Sequence, residues 1–274
     1  MTSATPDPSS APRPVVLVTG GAQRIGREIA LELARHGFDI ALHYRASADA
    51  AQATAGEAQA LGAQARAFAA DLADEAQCRA LVPQVVAGCG RLDALVNNAS
   101  RFEHDDVAGF GFAALEAHVR ANAGAPIVLA RALHAHLALR DASGCVVNLL
   151  DQKLWNPNPD HLSYTLSKAA LEAATTLLAQ ALAPRLRVCG VAPGVTLASG
   201  PMTDDEFARA RAFTPLARSS TPLDVARAVR FLLESPAVTG TTLLVDGGQH
   251  LQPQPRDVLF LARQQQAGGD DHHA

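Results

Sequence analysis

Two residue types that are rare in this chain lie four positions apart in one predicted helix. The 274 residues include two tyrosines and two lysines, and Tyr164 and Lys168 fall together in the segment SYTLSKAALE. A spacing of four places both side chains on one face of a helix. There an ammonium group can stabilise a phenolate and lower the pKa of the phenol, so Tyr164 is predicted to exchange a proton near neutral pH. The alternative is that Tyr164 packs and Lys168 is solvated.

An acidic residue precedes this tyrosine by thirteen positions. Asp151 follows the apolar run CVVNLL at 145–150, which is typical of a buried strand. At the end of such a strand a carboxylate either faces a ligand crevice or is an ordinary turn residue. Both interpretations stay open on this observation alone.

The elements that would position these residues alternate between short apolar runs and alanine-rich helical stretches, as in β-α-β units. The predicted strands are 15–19, 39–44, 65–69, 94–97, 145–150, 187–191 and 242–245. The predicted helices are 24–36, 48–61, 74–87, 112–139, 162–183 and 222–234. Right-handed crossovers then give a single-domain, Rossmann-type α/β fold, a doubly wound parallel sheet of seven strands with its ligand crevice at their carboxyl ends.

The turn after the first predicted strand is rich in glycine. It reads TGGAQRIG over residues 19–26, and a helix follows at once. Gly20 permits a tight turn, Gly26 lets the helix approach the strand, and the free amide groups of the helix N-terminus then face a pyrophosphate. The alternative is a glycine-containing turn that binds nothing.

The end of the second predicted strand distinguishes between two dinucleotides. A site for NAD would carry a carboxylate there, yet no acidic residue occurs between Asp39 and Asp49. The segment HYRAS at 43–47, together with Arg24, offers guanidinium, imidazole and hydroxyl groups instead, which suit a 2′-phosphate. NADP(H) is therefore predicted, against the alternative that Arg45 merely lies on the surface.

Composition excludes several other classes of function. A net charge of −4 gives no reason to expect a nucleic acid or an anionic membrane as partner. The cysteines lack metal-type spacing, so we expect no metal site and four reduced thiols in a cytoplasmic protein: Cys78, Cys89, Cys145 and Cys189. We expect a disordered tail over 1–13, the catalytic domain over 14–255, and a C-terminal segment over 256–274 with a disordered end.

Taken together, these motifs resemble those of the short-chain dehydrogenase/reductase family over about residues 14–250. Further marks are NNA at 97–99, Pro193-Gly194, and DGG at 246–248. The resemblance implies NAD(P)-dependent hydride transfer, with Tyr164 as acid and base and Lys168 binding the nicotinamide ribose. It implies that Asn122 holds a water linking Lys168 to solvent. It also implies a homotetramer or dimer built on the helices 112–139 and 162–183.

Asp151 departs from the family pattern, which usually has a serine at this position. The same exchange marks the pteridine reductases and the bacterial dihydromonapterin reductases, which this chain also resembles at Arg24, at HY (43–44) and at NASRF (98–102). In that subgroup the aromatic residue corresponding to Phe102 lies against the pterin ring. A carboxylate accepts from the amino and imino groups of such a ring and, when protonated, donates to a ring nitrogen. We therefore expect Asp151, in a dry pocket beside Tyr164, to have a raised pKa.

The predicted site residues follow from these motifs and this resemblance. The catalytic residues are Asp151, Tyr164, Lys168 and Asn122. The cofactor-binding residues are Gly20, Arg24, Ile25, Gly26, His43, Tyr44, Arg45, Ser47, Asp71, Leu72, Asn98, Ala99, Tyr164, Lys168, Pro193 and Gly194. The substrate-binding residues are Phe102, Asp151, Trp155, Tyr164 and Leu197. Residues 195–221 are predicted to form a lid with a small helix at 204–212, and core packing is the alternative for Trp155.

The predicted activity is an NADPH-dependent reduction of a reduced pterin such as dihydromonapterin or dihydrobiopterin, with dihydrofolate as a weaker further substrate. A small-molecule substrate and like subunits are the only partners expected. Two alternatives remain open. The first is a carbonyl reductase for a ketone or aldehyde, in which Asp151 is tolerated. The second is a catalytically idle NADP-binding protein.

Overall fold

A computed structural model describes residues 12–198, 202–212 and 214–261 of the chain. Within them, seven parallel strands form one sheet in the order β3-β2-β1-β4-β5-β6-β7. The strands are β1 Val15–Val18, β2 Asp39–Tyr44, β3 Ala65–Ala69, β4 Ala94–Asn97, β5 Gly144–Leu149, β6 Leu186–Pro193 and β7 Thr242–Val245. The parallel sheet in a single domain confirms the predicted fold class.

Helices cover both faces of this sheet. They are α1 Arg24–Arg35, α2 Ala48–Ala60, α3 Glu75–Cys89, α4 Phe112–Val119, α5 Ala125–Leu139, α6 Leu162–Leu182, α7 Asp204–Ala212 and α8 Pro222–Glu234. Because side chains alternate along a strand, Val16 and Val18 of β1 belong to the core cluster under α1 and α8. Leu17 belongs to the opposite cluster under α3 and α5. Strands buried on both faces must be apolar throughout, and this explains the short apolar runs in the sequence.

The predicted helix over 112–139 is wrong in one respect, since it is not one continuous α-helix. A π-helical turn at Arg120–Gly124 separates α4 from α5. The wider turn contains Asn122, whose amide group bonds to the backbone of Arg101 and to Ser167. Such turns are uncommon and occur mostly at functional sites. The other predicted elements, including the small helix at 204–212, agree with the structure within two residues at each end.

The strand order places a crevice at the centre of one edge of the sheet. β1 pairs with β2 on one side and with β4 on the other, so the chain reverses its direction of winding at β1. In open α/β sheets, ligands bind beyond the carboxyl ends of the strands at this point. The glycine-rich turn and the loop after β4 therefore face each other across the predicted cofactor site.

The predictions for the chain ends fall largely outside the described residues. Residues 1–11 and 262–274 lie there, and with them most of both predicted tails. Arg13 is described, and its guanidinium donates to the Ala34 carbonyl at 2.7 Å. In the described ranges no helix is long and apolar enough to cross a bilayer. These ranges also contain no cluster of three or more potential metal ligands.

Candidate active site

The predicted catalytic trio converges at the carboxyl end of β5. Asp151 lies just beyond this strand, and α6 carries Tyr164 and Lys168 on one face. The Tyr164 hydroxyl donates to Asp151 Oδ2 at 2.8 Å. The Lys168 ammonium donates to the Leu149 carbonyl at 2.7 Å, and Nζ lies 5.8 Å from the centre of the Tyr164 ring. Tyr164 and Lys168 are both buried, so the interpretation of Lys168 as a solvated side chain is wrong.

Burial dominates the electrostatics of this trio. It raises the pKa of Asp151, although hydrogen bonds from the Lys153 amide and from Tyr164 oppose the shift. This is the direction expected from the sequence. Burial likewise lowers the pKa of Lys168 to about 8. Each charged form is disfavoured because the surrounding protein solvates it less well than water does.

The predicted lowering of the Tyr164 pKa is wrong. Burial, the nearby Asp151 charge and the hydrogen bond to that carboxylate raise the Tyr164 pKa well above its usual value. A phenolate here would stand beside a carboxylate, and the cation lies too far from the ring to outweigh both effects. Tyr164 is therefore protonated at neutral pH.

Asn122 connects the catalytic helix to the loop after β4. Its Oδ1 accepts from the Arg101 amide at 2.7 Å, and its Nδ2 donates to Ser167 Oγ at 2.9 Å. Ser167 in turn donates to the Tyr164 carbonyl at 2.6 Å. The sequence analysis missed Ser167, although it stands directly before Lys168. The predicted link from Asn122 through a water to Lys168 remains a prediction.

The glycine-rich turn and the loop after β4 are joined by a compact set of hydrogen bonds. Thr19 Oγ1 accepts from the amides of Asn98 and Ala99, each at 3.0 Å. A Cβ atom on Gly26 would come within 2.2 Å of the Gly20 carbonyl oxygen, and Gly20 itself has a φ of +60°. Glycine is thus required at both positions. No side chain caps the N-terminus of α1, so its first amide groups are available to a ligand.

A cleft of about 730 Å³ opens at this turn and extends to Tyr164. Eleven of the predicted cofactor-binding residues line it: Gly20, Arg24, Ile25, Gly26, His43, Arg45, Asp71, Leu72, Asn98, Ala99 and Tyr164. Tyr44 and Ser47 are not among the described residues that line the cleft. The structure therefore does not bring these two residues to the predicted cofactor site. Pro193 ends β6, and Gly194 lines the neighbouring cavity instead.

His43 and Arg24 lie at the cleft but are engaged differently from the prediction. His43 Nδ1 accepts from the Gly20 amide at 3.1 Å, so Nε2 carries the proton and bonds to the Ala70 carbonyl at 3.0 Å. Burial also lowers the His43 pKa, so this neutral ring supports the turn and offers no charge to a phosphate. The Arg24 guanidinium donates to the Ala198 carbonyl of the predicted lid at 2.8 Å.

A second cavity of about 610 Å³ contains Asp151 and shares Arg24, Ile25, Phe102 and Tyr164 with the cleft. Phe102 and Leu197 line it as predicted, and so does Met202 from the lid. Phe102 meets the Tyr164 ring edge-on with centroids 4.7 Å apart, and 45% of its surface is exposed. The Phe102 ring also stacks on His161, and its exposed part borders the cavity that Tyr164 lines.

Trp155 was predicted to bind the substrate, but it does not line this second cavity. It follows a short 3₁₀ turn, is 39% exposed and is absent from the described lining residues. Its exposure also argues against the alternative of complete core packing. Val195 and Thr196 also line the cavity and belong to the predicted lid. The other lining residues were missed: His104, Gln152, Lys153, Asn158, His161, Gln249, Gln254, Asp257, Val258, Leu259 and Phe260. They belong to loops and short helical turns without a recognisable motif.

Comparison with known proteins places the chain among oxidoreductases. Residues 20–250 match the family model described as enoyl-(acyl carrier protein) reductase. The chain is 36% identical over 245 residues to the protein named ketoacyl reductase 2 of the granaticin polyketide synthase of Streptomyces violaceoruber, which covers 87% of this chain and 96% of that protein. It is 33% identical over 284 aligned positions to pteridine reductase 1 of Leishmania tarentolae, covering 89% of this chain and 98% of that protein.

Solved structures agree with the sequence relatives. FolM alternative dihydrofolate reductase 1 from Brucella canis, solved in complex with NADP, superposes with a TM-score of 0.82 at 41% identity. The alignment covers 89% of this chain and 97% of that chain. The family model and the structural superposition each extend over most of the described residues. The protein therefore belongs to the short-chain dehydrogenase/reductase family.

Proposed function

We propose that the protein is an NADPH-dependent reductase that delivers hydride to a ring carbon of a reduced pterin. The observation that carries this proposal is the carboxylate of Asp151, which accepts from Tyr164 at 2.8 Å. Both side chains line the second cavity together with the partly exposed ring of Phe102. A pterin ring offers amino donors and nitrogen acceptors to a carboxyl group, whereas a carbonyl oxygen requires only a hydroxyl donor. The similarity to FolM and to pteridine reductase 1 supports this choice.

The first cleft fits a dinucleotide. The close approach that Gly26 permits and the uncapped N-terminus of α1 suit a pyrophosphate. Arg45 lines the cleft near the end of β2, where a 2′-phosphate would lie, and the NADP reported with the FolM structure supports this choice of cofactor. The residues that would hold the remaining parts of the dinucleotide are Asp71, Leu72, Asn98, Ala99, Lys168, Pro193 and Gly194.

The protein's own residues must supply the proton for this reduction. When bound, the reduced nicotinamide provides the hydride that a ring C=N bond accepts at carbon. Tyr164, held protonated by its raised pKa, can donate to the ring nitrogen. Asp151 holds the phenol in place and can accept from a ring amino group or, when protonated, pass on its own proton. The Lys168 ammonium then stabilises the negative charge left on the pair.

Replacing Asp151 by serine restores the residue usual in the family and tests the proposal. We expect kcat/KM for 7,8-dihydropterins to fall by about 100-fold, because the carboxyl partner of the ring is lost. The Kd of NADPH, measured by fluorescence titration, should stay within about twofold because Asp151 does not line the cofactor cleft. Equal losses in pterin turnover and in NADPH affinity would contradict this role.

A substrate panel separates the proposal from its main rival, a carbonyl reductase. The 36% identity to a protein named as a ketoacyl reductase favours this rival. NADPH oxidation should be followed with dihydropterins, dihydrofolate, simple ketones and 3-oxoacyl thioesters. Turnover of the pterins without the ketones supports the proposal, and the reverse supports the rival. Tight NADPH binding without oxidation by any substrate would instead indicate a catalytically idle protein.

Replacing Arg45 by aspartate should shift the preference from NADPH towards NADH. A charge-assisted hydrogen bond contributes about 1.5–3 kcal/mol, so the ratio of the two Kd values should change by at least about 10-fold. The new carboxylate would repel a 2′-phosphate and accept from a 2′-hydroxyl. The matched control is Arg79→Asp, which changes the net charge equally on α3, outside the cleft. A ratio that changes equally in both variants would remove Arg45 from the phosphate site.

We propose that like subunits associate through α4, α5 and α6. Large apolar side chains are exposed on each of these helices, with Phe112 at 78%, Leu139 at 89% and Leu177 at 63%. The family resemblance supports this assembly. Sedimentation velocity of the purified protein would show a dimer or tetramer, and a monomer at micromolar concentration would contradict the proposal.

A further inference from the structure

The last described stretch of the chain closes one side of the substrate cavity. We call residues 254–260 the C-terminal wall. Of these seven residues, five line the cavity of about 610 Å³: Gln254, Asp257, Val258, Leu259 and Phe260. The C-terminal wall follows β7 and the short 3₁₀ turn Gln249–Leu251. None of its residues lines the cofactor cleft, so it faces the substrate side alone.

One buried carboxylate attaches the C-terminal wall to the rest of the protein. Asp160 is 3% exposed and accepts from Nε and Nη2 of Arg256 at 2.7–3.0 Å. It also accepts from the Asp257 amide at 2.7 Å. A bidentate guanidinium–carboxylate pair fixes both distance and orientation, and a buried carboxylate left without its cation is costly. Asp160 and Arg256 therefore form the main anchor of the wall.

Further contacts join the wall to the same loop, residues 152–161. Asn156 Oδ1 accepts from the Gln254 amide at 3.3 Å. The Lys153 ammonium lies 3.9 Å from Asp257 Oδ2. This loop connects Asp151 at its start to α6, which carries Tyr164, at its end. The wall is thus fastened to the segment that links the two proton-handling residues.

A row of contacting rings runs from the catalytic tyrosine to the wall. Phe102 meets Tyr164 edge-on at 4.7 Å and stacks on His161 at 4.4 Å. His161 meets His104 at 5.0 Å, and His104 meets Phe260 at 5.6 Å. All five rings line the second cavity, and the row of ring contacts leads from Tyr164 to Phe260. A flat ring held against Phe102 would direct its substituent along this row.

We propose that the C-terminal wall selects substrates by their ring substituent, with the Asp160–Arg256 pair as the positioning contact. The proposal rests on the proposed function for the identity of the ring. The substituent class it favours is an extended group with an aromatic or apolar portion, because the wall contributes Val258, Leu259 and Phe260 to the cavity lining. Arg256 does not line the cavity. It therefore acts through the position of the wall.

The test compares two substrates that share a ring and differ in the substituent, dihydrofolate and 6-methyl-7,8-dihydropterin. In Arg256→Gln, kcat/KM for dihydrofolate should fall by about 10-fold or more, since pocket contacts of this kind contribute 10- to 200-fold to discrimination. The value for the methyl compound should fall by less than about threefold. Asp160→Asn should show the same selective loss of kcat/KM for dihydrofolate. The double variant should lose no more kcat/KM than the more impaired single variant, because all three variants remove the same interaction. Arg256→Lys should retain part of the selectivity.

The outcomes separate this proposal from the proposed function. An equal loss with both substrates would show that the pair supports the fold only, and would overturn selection by the wall. If wild type binds NADPH but reduces no dihydropterin, the proposed function fails. Hydrogen exchange of the ligand-free protein then tests the wall by itself. Arg256→Gln should increase exchange in residues 152–161 and leave residues 15–35 unchanged, whereas unchanged exchange in 152–161 would contradict the attachment.

Discussion

Tyr164→Phe is expected to lower kcat for pterin reduction by about 100- to 10,000-fold. The substitution removes the proton donor and leaves the ring that contacts Phe102. It also removes the hydrogen bond to Asp151 at 2.8 Å, which is one of the interactions that hold down the raised pKa of this carboxyl group. Asp151 should thus be protonated over a wider pH range in the variant. Steady-state kinetics together with NADPH titration measures the effect.

The NADPH affinity of the same variant is the first control for this experiment. The Kd should change by less than about twofold, because the variant keeps the aromatic ring that lines the cleft and removes only the hydroxyl. A second control is Tyr164→Phe combined with Asp151→Asn. If the two residues act as one proton-handling pair, the double variant should lose little more than the single variant. Retention of kcat within about threefold in Tyr164→Phe would exclude this tyrosine as the donor.

The sequence was sufficient for the fold because the signals for its elements are local. Strands buried on both faces must be apolar throughout, so β1 and β5 stand out from the alanine-rich helices between them. The glycine-rich turn is equally local, since Gly20 and Gly26 are required by a positive φ and by a close backbone approach. The spacing of four residues between Tyr164 and Lys168 is also a local signal, because both residues lie in one helix.

Features that depend on contacts between distant segments could not be predicted. The engagement of His43 with the Gly20 amide joins residues 23 positions apart, and only the folded sheet shows that the ring is buried and neutral. The C-terminal wall is a stronger case, because Arg256 and Asp160 are 96 positions apart. Asn122, in the interrupted part of the predicted helix, likewise bonds to the Arg101 backbone, 21 positions away.

The pKa of Tyr164 shows why residue types alone were insufficient for the electrostatics. Sequence spacing predicted a cation near the phenol, and the structure confirms their neighbourhood at 5.8 Å. The spacing alone does not reveal how deeply the phenol is buried. It also does not reveal that the phenol donates to Asp151. Burial and the carboxylate then raise the pKa instead of lowering it. The Lys168 cation mainly opposes the effect of burial on the pKa of Asp151.

Lys168 is expected to titrate far below an ordinary lysine. Burial lowers its pKa from 10.5 to about 8, although the Asp151 charge opposes the shift. Between these two pH values the folded state binds fewer protons than the unfolded chain, so the contribution of Lys168 to stability rises with pH across this window. The chain contains only two lysines, Lys153 and Lys168. Protein labelled with ¹³Cε-lysine should therefore give two resonances, which can be followed from pH 6 to pH 11.

The assignment of the two resonances provides the control for this titration. Lys168→Met should remove one signal and leave that of Lys153, whose pKa is also lowered by burial. Asp151→Asn should lower the Lys168 midpoint further, because it removes the charge that stabilises the ammonium. A Lys168 midpoint near 10.5 in the folded protein would show that the ammonium is solvated. Lys168 could then no longer be regarded as a buried cation that stabilises negative charge on Tyr164 and Asp151.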